Sequence, residues 1–237
     1  GMGERTILEI ARGLAAGHTL KDIRDLRGVA YRLGASEAPP SGPGPCCPGT
    51  VELPSFETVS SDKRAFCEMT RVSHLETNPH NARRLVQRYG RESVVVNPPA
   101  LPLDQQEMDE VYGLPFTRRP HPSYGSARIP AFEVVETSVQ IMRGCFGGCT
   151  FCSITAHEGR IIQSRSKDSI ISEIKLISKQ PGFKGTVSDI GGPTANMYQM
   201  RCTRPQVEAK CRRLSCVPPT VCKLLSTGHG PLKEVMR

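Results

Sequence analysis

The chain has 237 residues, with 31 Lys and Arg against 23 Asp and Glu for a formal net charge of +8, and it carries 10 Cys, 22 Gly, 20 Pro and no Trp. That length suits one large domain or two small ones; the Gly and Pro content makes much of it loop, while Leu, Ile, Val and Phe spread along the chain exclude wholesale disorder. No run approaches the ~18–20 consecutive apolar residues of a membrane span, and Glu4, Arg5 and Glu9 stand where a secretory signal would need its apolar core.

Ile7, Leu8, Ile10, Ala11 and Leu14 predict a helix over 4–16, stopped by Gly17. A second short helix is expected from Thr19, whose hydroxyl suits a cap, to Gly28, and residues 29–33 alternate like a strand. Residues 34–50, with five Pro and four Gly, read as a linker. Residues 56–59 then suggest a strand or turn and residues 61–76 a helix; 78–90 predict a further helix with Asn78 as cap, Pro79 in the first position and Gly90 as stop. Residues 93–97 are a β-branched run, 104–113 a helix, and 113–130 a loop rich in Pro, Arg and His. From Phe132 the pattern changes. A strand over 135–142, a Gly/Cys loop, a helix over 166–180 with Ile170, Ile171, Ile174 and Ile177 on one face, and a strand entering a Gly-rich turn over 185–192 make one βαβ unit of the parallel α/β kind.

Cysteines without a secretory signal fit reduced thiols in the cytoplasm, where clustered Cys more often bind metal than form disulfides. Cys145, Cys149 and Cys152 stand at C-x3-C-x2-C spacing in one turn, with Gly144, Gly147 and Gly148 letting the backbone curl. Three thiolates can hold three corners of a 4Fe–4S cluster and leave the fourth iron open, as a reactive rather than a structural site requires. A structural zinc site made by the same cysteines with His157 is the alternative. Cys202, Cys211, Cys216 and Cys222 form a second group whose spacing matches neither zinc-finger nor ferredoxin runs. It reads as a second metal site, for Zn or a second Fe–S cluster, or as reduced thiols packed as small apolar groups. Cys46, Cys47 and Cys67 carry no metal pattern. Arg160 and Arg165 suit bidentate contact with an anion, although capping or an ion pair with Asp168 accounts for Arg165 equally. Residues 201–237 hold 8 basic and 2 acidic side chains, a tail that suits a polyanion such as nucleic acid. The absence of Phe, Tyr and Trp from that tail argues against stacking on single strands.

The C-x3-C-x2-C loop after a strand, Phe151 just before the third cysteine, and the later turn Asp189-Ile190-Gly191-Gly192-Pro193-Thr194 resemble the radical S-adenosylmethionine (radical SAM) enzymes. The stretches LPSFETVSSDK, HLETNPHNARRL, VVNPPALPL, RRPHPSYGSARIPAFE, IMRGCFGGCTFCSITAHEGRIIQSRSKDSII and DIGGPTANMYQMRC narrow the resemblance to the YgiQ-like radical SAM proteins. The resemblance implies that Cys145, Cys149 and Cys152 ligate a 4Fe–4S cluster, that Phe151 lies against the adenine of S-adenosylmethionine, and that Gly191, Gly192 and Pro193 meet its amino end. Pro193 replaces an acidic residue common in the family, so a side-chain contact there is lost. The chemistry implied is reductive cleavage of S-adenosylmethionine to a 5′-deoxyadenosyl radical, with electrons from an external donor and a substrate that the sequence does not name.

The implied fold is α/β, an incomplete parallel (β/α) barrel of radical SAM type preceded by a loop-rich α+β region. The 100 residues from Ser138 to the end suffice for about three βα units of ~30 residues, against the ~200 or more of a full barrel. The expected segments are 1–33, the tail end of a preceding domain; 34–50, the linker; 51–131, the α+β region; and 132–237, the start of the barrel with a Cys-rich insertion at 202–222. Family members are longer, so the chain reads as a fragment cut at both ends, Gly1-Met2-Gly3-Glu4-Arg5 matching an internal G-x-G-E-R of the family; an independent start at Met2 is the alternative. A reading from another class is a noncatalytic module, stabilised by Zn or Fe–S, whose basic tail contacts nucleic acid.

Overall fold

A computed structural model describes residues 3–194 and 196–237, so Gly1 and Met2 of the G-x-G-E-R match lie outside the described residues. In chain order the elements are α1 (Glu4–Ala15), β1 (Ala30–Leu33), β2 (Thr50–Glu52), α2 (Phe56–Ser61), α3 (Lys63–Leu75), β3 (Arg84–Tyr89), β4 (Glu92–Val96), α4 (Gln105–Tyr112), α5 (Pro130–Val135), β5 (Val139–Gln140), β6 (Met142–Arg143), α6 (Ile154–His157), β7 (Gln163–Ser164), α7 (Lys167–Ser178), β8 (Ile190–Gly191), α8 (Pro205–Glu208) and α9 (Gly230–Val235). They form two compact units, each assembled from separated stretches of chain. The first takes the chain up to Pro102 together with Phe146–Ile161 and Cys202–Leu225; the second takes Leu103–Cys145, Ile162–Arg201 and Ser226–Arg237.

The first unit is built on a four-stranded mixed sheet in the order β1-β4-β3-β2, in which only β2 and β3 run parallel. Leu33, Val86 and Val95 form its buried core, with Tyr31 packed against them. The stretch expected to form a helix over 78–90 makes one turn, Ala82 N–H donating to the Asn78 carbonyl at 2.8 Å, and then leaves as β3. The reason is two-residue periodicity: Arg84 and Val86 point into the unit, and only a strand brings Val86 onto Val95. Gly90, at a φ of +55°, opens the two-residue turn into β4.

In place of the helix expected after Thr19 the chain makes turns, Asp22, Arg24 and Leu26 N–H each donating three residues back, while the Thr19 amide and hydroxyl both donate to Asp22 Oδ2 at 2.7 Å. Residues 56–59, expected as a strand or turn, lie instead in α2, capped by Ser55 Oγ accepting from Thr58 N–H. Residues 34–49 lack regular elements and Thr50 opens β2, but the stretch is held: Cys46 and Cys47 are buried, and the Arg27 guanidinium donates to the carbonyls of Cys46, Pro79 and Pro99.

In the second unit α4 begins with a capping box between Asp104 and Glu107, as the sequence DQQE encodes. Ser166 caps α7, and Ile170 and Ile177, seven residues apart on one face, are fully buried. The expected strand over 135–142 is broken into α5, β5 and β6. The β5-α7-β8 unit survives, with β5 and β8 parallel and Val139 opposite Ile190, whereas β6 pairs antiparallel with β7. No closed barrel forms among the described residues; the protein is a mixed α/β fold with small sheets.

Candidate functional site

The cluster loop leaves β6 after Arg143, and the chain passes from the second unit to the first between Cys145 and Phe146. Gly144 and Gly148 adopt φ of +91° and +64°, in the left-handed region that favours glycine. Cys145 is buried, Cys149 is exposed and Cys152 is half-buried; none of the three is in a disulfide. Cys152 N–H donates to the Cys149 carbonyl at 3.2 Å, closing a turn that brings the chain into α6. Phe151, expected against an adenine, is 91% exposed. His157, of the zinc alternative, is exposed at the end of α6. Among the described residues no three His, Cys, Asp or Glu side chains are gathered as a ligand set for a metal ion, and this holds for both cysteine groups.

The first-unit half of the loop is held by the cysteine-rich segment. Ser215 Oγ donates to the Gly147 carbonyl at 2.6 Å and lies 3.3 Å from that of Phe146. Cys216 N–H donates to the Phe146 carbonyl at 3.0 Å, and Val217 N–H donates to Ser215 Oγ at 2.9 Å. A Cβ on Gly148 would lie 2.6 Å from the Leu214 carbonyl oxygen, so only glycine admits this approach.

In the second unit β5 and β8 deliver the Gly-Gly turn: Ile141 N–H donates to the Gly191 carbonyl at 2.8 Å. A Cβ on Gly192 would lie 2.6 Å from Met142 Cγ, which explains the second glycine by packing. Ile141, Met142, Asp189, Gly191, Gly192 and Thr194 line a cleft of about 230 Å³. Pro193 follows Gly192, half-buried.

Arg165 is not available to an anion. It is 1% exposed; its guanidinium donates to the Gln140 carbonyl at 2.9 Å and to Ser169, pairs with Glu173 rather than Asp168, and stacks over Tyr112 at 4.3 Å. Arg160 faces Cys216, where burial pushes the thiol up and the guanidinium partly offsets it, with Cys222 and Cys211 close by. The four cysteines of the second group do backbone work: Cys202 bridges Leu225, Cys222 N–H donates to the Cys216 carbonyl at 2.8 Å, and the Cys211 carbonyl accepts from Asn78 and Asn81.

Glu76, Asn81, Arg212 and Ser215 are the residues that sequence reasoning did not single out, and Asn78 was read only as a helix cap. Their one sequence signal is two asparagines and a glutamate crowded around Pro79 without helical apolar spacing. Arg212, one of the basic residues of the tail, is turned inward onto Glu76 at 2.6 Å.

On its mixed α/β scaffold the chain carries a cysteine loop and a glycine turn, and the comparisons give its class, a radical SAM protein. A family model described as radical SAM N-terminal matches residues 1–138. The chain belongs to the YgiQ-like radical SAM proteins. Over its full length it is 50% identical to a UPF0313 protein of Rhodopseudomonas palustris, and 45% identical to the UPF0313 protein YgiQ of Salmonella typhimurium and of Escherichia coli. It spans 37% of the first relative and 39% of the other two. No solved structure matches. No helix among the described residues is long and apolar enough to cross a membrane.

Proposed function

We propose that this chain is the cluster-bearing part of a radical SAM enzyme, in which Cys145, Cys149 and Cys152 hold a 4Fe–4S cluster and Phe151, Gly191, Gly192 and Pro193 contact S-adenosylmethionine. The observation that carries the reading is the disulfide-free C-x3-C-x2-C loop, in which Gly148 has no room for a Cβ, in a chain of this family. The donor set fits the group: thiolates suit iron, and three of them on a four-iron cluster leave one iron open to an exogenous ligand. Bound there, the cluster supplies the electron that cleaves the sulfonium of S-adenosylmethionine.

The chain's own residues bind and orient. The glycines let the loop backbone curl so that thiols at spacing 3 and 2 can share one cluster, and Gly191 and Gly192 border the 230 Å³ cleft with bare backbone. The exposed ring of Phe151 offers an apolar face for an adenine. Free thiols suited to iron belong in a reducing compartment, which supports a cytoplasmic location. An external reductant is the partner this chemistry needs. The described strands form only short pairs, too few to enclose a radical, so cleavage of S-adenosylmethionine by this chain alone is expected to be weak or absent.

Anaerobic reconstitution tests the reading. The wild-type chain should turn brown with iron and sulfide in near-equal amounts, and Cys149→Ala should lose both. A colourless wild-type product, or zinc held in place of iron, overturns it.

A further inference from the structure

Residues 76–84 and the cysteine-rich segment share a set of hydrogen bonds that neither the cluster ligands nor the cleft requires. Glu76 is 4% exposed and accepts from Arg83 Nη2 and Arg212 Nη2, each at 2.6 Å, and from the Arg83 amide at 2.7 Å. Asn78 Nδ2 donates to the carbonyls of Glu208 and Cys211 at 2.8 and 3.0 Å. Asn81 Nδ2 donates to those of Ala209 and Cys211 at 2.9 and 3.2 Å. Residues 208–212 are thus pinned at several carbonyls and one guanidinium. Three residues after Arg212, the same stretch meets the cluster loop through Ser215 and the Cys216 amide.

The Ser215 hydroxyl is buried, and it is spent on loop carbonyls 68 and 69 residues away in sequence. The Gly147 carbonyl it holds lies one peptide before the Gly148–Cys149 bond, and Gly148 has room only for hydrogen on the side facing Leu214 and Ser215. Rotating that peptide plane re-aims Cys149. We propose that Ser215 is a positioning residue of the cluster loop, kept in register by Glu76, Asn78 and Asn81 through Arg212 and the Cys211 carbonyl. This rests on the reading of Cys145, Cys149 and Cys152 as cluster ligands.

The full chain is reconstituted anaerobically as wild type, Ser215→Ala and Thr203→Val. The last removes a hydroxyl-to-carbonyl bond of 3.0 Å to Leu224, in the same segment but away from the loop. The readouts are the electron paramagnetic resonance spectrum of the dithionite-reduced cluster and the rate of iron release to a chelator. Ser215→Ala should take up iron and sulfide in wild-type amounts, shift the g-values, and release iron about fivefold faster, the effect of one hydrogen bond worth ~1 kcal/mol. Thr203→Val should match wild type on both. Arg212→Lys keeps the charge but not the fork onto Glu76; it should move with Ser215→Ala and replaces it if the alanine variant does not fold.

A wild-type spectrum in Ser215→Ala, or an equal change in Thr203→Val, overturns the positioning role. A wild-type chain that takes up no cluster overturns the ligand reading instead. The contact is then read in the metal-free chain, where the Cys216 amide should exchange hydrogen more slowly in wild type than in Ser215→Ala; equal exchange overturns the proposal there.

Discussion

A single methyl group separates two kinds of glycine in this chain. At Gly148 the φ of +64° is costly for any L-residue, and a Cβ would meet the rigid Leu214 carbonyl at 2.6 Å. Gly148→Ala should therefore cost about 2–3 kcal/mol, combining left-handed strain with backbone displacement. At Gly192 the clash is with Met142 Cγ, the flexible part of a side chain that can re-rotate, so Gly192→Ala should cost less, about 1–2 kcal/mol. Urea unfolding of the two variants ranks them, and the reverse order would show that the Leu214 contact gives way.

Glu76 adds a dependence on pH. Burial alone would raise its carboxyl, but the hydrogen bonds from Arg212 and Arg83 outweigh that and hold it below the usual carboxylate range. The stabilisation is complete above the unfolded value of ~4.3 and is lost as pH falls through the lowered folded value. Glu76→Gln should be less stable than wild type at pH 7, and the gap should narrow in acid below pH ~4. Unfolding curves followed by circular dichroism across that range would check it; a gap independent of pH would assign the loss to packing.

Local signals explain which elements were legible. α4 and α7 announce themselves by a cap and an apolar stripe within one stretch of chain, and both form within one or two residues of expectation. Ile177→Ala should cost about 2–5 kcal/mol, because the side chain is fully buried on that stripe; thermal unfolding measures it, and a loss under 1 kcal/mol would mean that the face repacks. β3 was illegible for the opposite reason. Its cap-like Asn78 does accept from His80 N–H at 3.1 Å, but its Nδ2 donates to the carbonyls of residues 208 and 211, more than a hundred positions away, and no local rule reports that. The cysteine loop and the Gly-Gly turn were legible because each is a contiguous motif. The hold on the loop by Ser215 was not, since a serine in a cysteine-rich stretch has no pattern of its own.

Across the whole molecule the chain changes unit five times, so neither unit corresponds to a continuous piece of sequence. A chain ended at residue 138, where the family-model match stops, keeps Glu76, Asn78 and Asn81 but loses their partners at 208–212. Each hydrogen bond lost in this way, with the freed side chain turned to water, should cost about 0.5–1.5 kcal/mol. Hydrogen exchange at the Ala82 amide, in the turn begun by Asn78, should accelerate in the shortened chain; unchanged protection would mean that the turn stands alone. The 8 basic residues of the tail also overstate what that tail offers a polyanion, because one of them, Arg212, is paired with Glu76 from outside the tail.

The clasp of Ser215 on Gly147 also imposes an order in time. Residues 145–152 leave the ribosome some sixty residues ahead of Ser215, an interval of about 3–12 s at bacterial-like elongation rates. Throughout it the three thiols are present while their loop is untethered, open to iron donors and oxidants alike. Emergence of residues 211–217 fastens the loop while leaving Cys149 exposed, so the nascent chain meets its metal either on a loose loop or on a set one.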